Sequence, residues 1–170
     1  MALSLPIDSL RADLEAAWSW HRNFLLRAPT GSGKSTRVPR FLLQWPGFPA
    51  GQRVVILQPR RVAARLLARR VAGELGEPPG RTAGYAVRFE ACQSRETRLL
   101  YVTEGLLLRR LLTGEGLRGV GAVIFDEFHE RHLEGDLGLA LLVREQAAGW
   151  GGRIGVMSAT LEVERLDRKS

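Results

Sequence analysis

Two stretches of this chain carry residue types at spacings that suit chemistry on a phosphate. The first is Ala28-Pro29-Thr30-Gly31-Ser32-Gly33-Lys34-Ser35-Thr36. It follows the glycine-lysine-serine pattern of a phosphate-binding loop, with Ala28 where that pattern begins on glycine. Gly31 and Gly33 let the backbone wrap and turn successive N–H groups inward, and the following helix N-terminus adds positive potential. Thr30, Gly31, Ser32, Gly33, Lys34, Ser35 and Thr36 then line the phosphates; Lys34 reaches the terminal ones, and Ser35 is placed to ligand Mg²⁺. A glycine-rich turn with a solvated lysine is the plainer alternative, but an apolar run before and a helical segment after are the context that phosphate loops require.

The second stretch is Val123-Ile124-Phe125-Asp126-Glu127-Phe128-His129, where adjacent acids end an apolar strand. Ligands bind at the carboxyl ends of parallel strands. Asp126 is therefore placed to hold Mg²⁺, with Glu127 beside it to touch the same metal and to orient or deprotonate an attacking water. A solvated acidic turn is the alternative, weakened by the separate phosphate loop in the same chain.

The elements that must position these residues alternate. Residues 8–21 read as an amphipathic helix with Asp8 or Ser9 as N-cap and Leu10, Leu14, Ala17 and Trp18 on one face. Strands are expected at 24–28, 54–57, 85–89, 99–102, 120–125 and 153–157, and helices at 34–45, 60–75, 106–112 and 137–146, closed by Pro46, by Gly76 with Pro78, and by Gly114. This βα alternation predicts an α/β fold with a mostly parallel sheet and helices on both faces. Residues 1–23 form a helical lead-in packed on a domain spanning 24–170.

The chain has 170 residues, 45% of them hydrophobic and 25% charged, so a single folded core is expected. A lone Cys92 excludes an internal disulfide and fits a reducing cytoplasm. No apolar run approaches the ~20 residues that cross a bilayer, so no membrane partner is expected. The net charge of +7 is carried almost wholly by arginine, Lys34 and Lys169 being the only lysines. Arginine suits phosphate recognition, although a GC-rich coding sequence yields the same excess. The four tryptophans, Trp18, Trp20, Trp45 and Trp150, are expected to pack rather than stack on bases.

Asp126-Glu127-Phe128-His129 resembles motif II of the DEAH-type helicases of superfamily two, and other motifs of their first RecA-like domain follow in order. Gln58-Pro59-Arg60-Arg61-Val62-Ala63-Ala64-Arg65 resembles motif Ia, and Gly84-Tyr85-Ala86-Val87-Arg88-Phe89-Glu90 a segment typical of the DEAH group. Thr103-Glu104-Gly105 resembles motif Ib and Ser158-Ala159-Thr160 motif III. Most DEAH proteins carry alanine at the position of Phe128; the phenylalanine and the short lead-in most resemble the bacterial HrpB-type subgroup.

The resemblance implies a RecA-like P-loop NTPase fold that binds Mg²⁺ and ATP or other nucleoside triphosphates. It implies that Lys34, Ser35, Asp126 and Glu127 serve nucleotide and metal, and that Ser158 and Thr160 couple hydrolysis to domain movement. His129 joins that coupling, or is simply a histidine satisfied by nearby backbone. Arg60, Arg61 and the Thr103-Glu104-Gly105 turn contact the backbone of single-stranded RNA or DNA, which positions a polymer without reading bases. Arg70 corresponds to an arginine that lies against adenine, or is one more surface arginine; Arg65 and Arg69 fit a solvated stripe. The upstream glutamine by which DEAD-box relatives read adenine is absent from residues 1–43, so weak base selectivity is expected.

Such helicases hydrolyse ATP between two RecA-like domains, and the second supplies arginine fingers worth ~10³ to 10⁵ in turnover. The glycine-arginine motif of that second domain does not occur here, so the expectation is a truncated first domain with slow hydrolysis and no unwinding alone. Two other readings remain: a non-catalytic module binding nucleic acid or a partner, and a small P-loop kinase, which leaves the QPRR, TEG and SAT segments unexplained.

Overall fold

The computed structural model describes residues 5–160. Its centre is a seven-stranded sheet in the order β1-β7-β6-β2-β5-β3-β4. The strands are β1 (Phe24–Arg27), β2 (Arg53–Gln58), β3 (Ala83–Val87), β4 (Glu90–Cys92), β5 (Leu99–Thr103), β6 (Val120–Phe125) and β7 (Arg153–Ser158). Every pairing is parallel except β3 with β4. The helices are α1 (Arg11–Trp20), α2 (Lys34–Gln44), α3 (Arg61–Glu74), α4 (Glu104–Leu112) and α5 (Leu133–Ala147).

The central strands are buried on both faces, which is why β2 and β6 read as unbroken apolar runs. Alternate residues divide between two cores. Val54, Ile56, Tyr101, Ile124 and Met157 face α1, α2 and α3, while Val55, Leu57, Val102, Phe125 and Ile154 face α4 and α5. Phe128 belongs to the second core, edge-on to Phe125 at 5.7 Å, so the residue that departs from the wider family pattern fills space under the acid pair.

Several expectations change at element ends. The lead-in opens with a 3-10 turn over Pro6–Leu10, and neither Asp8 nor Ser9 is the N-cap of a single helix. Asp8 sits inside that turn, where its carboxylate accepts the Leu5 N–H at 2.7 Å. β4 was not expected; it turns back from β3 at Phe89, so alternation is not βα throughout. α5 begins at Leu133 rather than Leu137, because Glu134 and Asp136 favour a helix first turn without adding apolar periodicity. Trp18 packs against Phe24 and Trp45, but Trp20 is 86% exposed and does not pack as expected. Among the described residues no helix is long and apolar enough to cross a membrane.

Candidate functional site

Parallel strands bring all their carboxyl ends to one edge, and the sequence-marked residues lie along it. β1 leads into the glycine loop, β6 ends at Asp126, and β7, between them, ends at Ser158. The loop needs its glycines: Gly31 and Gly33 have φ of +81° and +92°, a region that side-chain-bearing residues rarely adopt. The lead-in braces it, since the Ile7 N–H donates to the Ser32 carbonyl at 3.1 Å and Leu5 lies over Gly33.

Lys34, 2% exposed, donates from Nζ to Glu127 Oε1 at 2.8 Å, joining the loop to the acid pair. Asp126 is 1% exposed and accepts from Gln58 Nε2 at 2.6 Å, from the Glu127 N–H at 3.0 Å and from the Ser35 hydroxyl. Burial pushes its carboxyl above the ordinary range, and the Ser35 and Gln58 hydrogen bonds oppose that rise. Glu127 has φ +52°, a left-handed conformation that costs energy without glycine; its N–H donates to Asp126 and its carbonyl accepts the Glu130 N–H at 3.0 Å.

His129 connects this pair to β7. Its Nδ1 accepts the Ala159 N–H at 3.4 Å, so the ring proton sits on Nε2, which lies 3.4 Å from Glu127 Oε2. Ser158 is buried and its hydroxyl donates to the Thr160 carbonyl at 2.7 Å. Thr160 itself is exposed.

Pro39 lies inside α2. It has no N–H to give the carbonyl four residues earlier, and that carbonyl, of Ser35, accepts instead from the buried Tyr101 hydroxyl at 2.9 Å. A strand residue thus completes a helix bond beside Ser35. The sequence did not mark Tyr101 for this role, nor Gln58 for its bond to Asp126, although a proline within a helix is the signal that some outside donor is needed.

A cavity of about 190 Å³ opens over the loop, lined by Thr30, Gly31, Gly33, Lys34, Ser35, Thr36 and Glu127 together with Leu5, Leu67 and Arg70. Arg70 therefore reaches this cavity, its Nε 3.2 Å from Glu74. Ser32, within the loop, is buried, and its hydroxyl has no hydrogen-bond partner among the described residues. Asp126 and Ser35 present hard oxygen donors side by side, the donor set Mg²⁺ prefers.

The other half of the edge is built from β2, β5 and β3. A cavity of about 590 Å³ there is lined by Arg61, Thr103 and Gly105, and also by Arg88, Phe89, Arg109 and Glu134, which the sequence did not assign. Phe89 is 90% exposed at φ +69°, with the Arg88 guanidinium 4.7 Å from its ring centre. Arg60 points elsewhere, 3.4 Å from Glu130. The Glu104 side chain is buried against α5, with His132 Nδ1 3.7 Å away, so this turn offers its backbone rather than that carboxylate to the cavity. Burial raises the Glu104 carboxyl above its ordinary range, and His132 opposes that. A third cavity, about 610 Å³ and lined by Arg53, Leu100, Leu117 and Val120 among others, shares Val87 and Phe89 with the second and holds none of the residues assigned to nucleotide, metal or nucleic acid.

The family model of the DEAD/DEAH box helicases matches residues 13–168. The chain is 45% identical over 166 residues to the ATP-dependent RNA helicase HrpB of Escherichia coli (strain K12), which covers 97% of this chain and 20% of that protein. It is also similar to two solved structures. The crystal structure of Escherichia coli DEAH/RHA helicase HrpB superposes with a TM-score of 0.89 at 46% identity, covering 97% of this chain and 21% of that one. The crystal structure of the E. coli DExH-box NTPase HrpB gives 0.91 at 45% identity, covering 99% and 21%. The chain thus spans about a fifth of the length of the relatives it matches.

Proposed function

The chain belongs to the DEAD/DEAH box helicase family, and from that premise we propose that it is the first RecA-like, nucleotide-binding unit of an enzyme that uses Mg²⁺ and ATP to move along single-stranded nucleic acid. RNA is the polymer favoured by the relative's description. The observation that carries the reading is the 2.8 Å contact between Lys34 and Glu127, 93 residues apart in the chain.

In this reading Lys34 exchanges Glu127 for a terminal phosphate. Glu127 is thereby freed to accept a proton from an attacking water, and His129 passes its change of position to Ala159 and the end of β7. Asp126 and Ser35 hold Mg²⁺, which when bound neutralises phosphate charge. Arg70 and Leu67 wall the space for the base with a planar cation and an apolar surface, an arrangement that supports weak discrimination among bases. Arg61 and the Thr103–Gly105 turn take the polymer backbone, with Arg60 joining after release from Glu130. A second RecA-like domain is the partner that completes turnover.

The test pairs two substitutions. Lys34→Ala abolishes nucleotide binding, whereas Glu127→Gln retains binding and loses residual hydrolysis. Unchanged affinity in the first and unchanged turnover in the second contradict the assignment. The chain alone turns over slowly and does not unwind a duplex; strong RNA-stimulated turnover by it contradicts the need for a partner domain.

A further inference from the structure

α4 and α5 begin side by side, and each places a carboxylate over a glycine of the other. A β-carbon at Gly135 would lie 2.7 Å from Glu104 Oε1, and one at Gly105 would lie 2.9 Å and 3.2 Å from the two carboxylate oxygens of Glu134. The two acids differ in what surrounds them. Glu104 is buried and has His132 beside it. Glu134 is exposed and lines the cavity that Arg61, Arg88 and Arg109 also line. Among the described residues its carboxylate takes no hydrogen bond and no ion pair, and those three arginines have no carboxylate partner either.

An anion therefore lies over Gly105, in the space where a polymer phosphate would meet the Thr103–Gly105 turn and the arginines. Resting on the nucleic-acid reading above, we propose that Glu134 is a built-in rival of that phosphate. Its charge opposes the incoming phosphate and partly offsets the arginine field, so it sets how tightly the polymer is held and how readily it leaves. Gly105 admits this arrangement, since any side chain there would meet the Glu134 carboxylate.

The test is fluorescence anisotropy of a fluorescein-labelled oligouridylate against the chain and its variants over a range of salt. Glu134→Gln tightens binding about threefold at low salt. It also steepens the slope of log affinity against log salt by up to about 0.7, the increment for one more phosphate neutralised on a single strand once its rival is gone. Glu134→Ala does the same, because the effect is one of charge. Binding unchanged or weakened in both variants overturns the proposal. Arg61→Ala, run alongside, separates it from its premise: if that variant weakens binding while the Glu134 variants change nothing, the surface stands without the rival. If Arg61→Ala is also without effect, the nucleic-acid surface falls too.

Discussion

The carboxyl edge of the sheet holds two regions of opposite character. Around β1, β7 and β6 the charges are buried and answered within the chain: Lys34 by Glu127, Asp126 by Ser35 and Gln58. Around β2, β5 and β3 the arginines stand in solvent about an open cavity, with an exposed phenylalanine at its lip. The difference fits the ligands proposed for each. A triphosphate has fixed geometry, so groups held in place before it arrives lose little on binding. A polymer bound by its phosphates gains chiefly from counterion release, which exposed cations supply without a rigid frame.

Single substitutions should act on one region and spare the other. The largest effect is expected from Lys34→Ala, which leaves Glu127 without its cation and abolishes nucleotide binding in calorimetric titration, a loss on the order of 100-fold or more. Oligonucleotide binding without nucleotide should be unchanged; parallel loss of both would merge the two regions. Tyr101→Phe removes the donor that completes the Ser35 carbonyl. Loss of this part-buried hydrogen bond costs about 1 kcal/mol, visible in denaturant unfolding, with the salt slope of nucleic-acid binding untouched.

Arg61→Ala should act only on the open region, weakening oligonucleotide affinity a few-fold and reducing its salt slope by about 0.7. The smallest effect is expected from Glu104, whose carboxyl burial holds above its ordinary range. The folded chain then binds that proton more tightly than the unfolded one. Stability therefore falls as pH rises from the ordinary carboxylate range through the raised folded value, and is constant above it. Glu104→Gln removes this component, so melting temperatures of variant and parent should diverge in the variant's favour as pH rises across that window. Parallel curves would place the Glu104 carboxylate in solvent.

The closed region was largely legible in the sequence, because a phosphate loop needs particular residues in consecutive order and an acid pair needs an apolar strand before it. Both signals are local. β6 was read at its observed bounds for the same reason, its six residues being buried without interruption. In the open region Thr103 and Gly105 were legible only through resemblance, and Arg61 also through its place after a strand and at the start of a helix. Arg88 and Phe89 reach it through the β3–β4 reversal, which three mostly exposed residues, Glu90–Cys92, did not announce. Arg109 and Glu134 reach it from two helices that adjoin only in three dimensions. Glu104 shows the limit of motif reading: its place in the chain suggested a ligand contact, while its side chain lies buried against α5.

If the glycine loop and the acid pair serve one triphosphate, its phosphates must lie between them. A crystal structure of the chain with Mg²⁺ and a non-hydrolysable ATP analogue tests it most directly. The expected result is a γ-phosphate between Lys34 and Asp126, with Lys34 Nζ moved off Glu127 and onto a phosphate oxygen. Phosphates seated elsewhere, with the 2.8 Å Lys34–Glu127 contact intact, would contradict it.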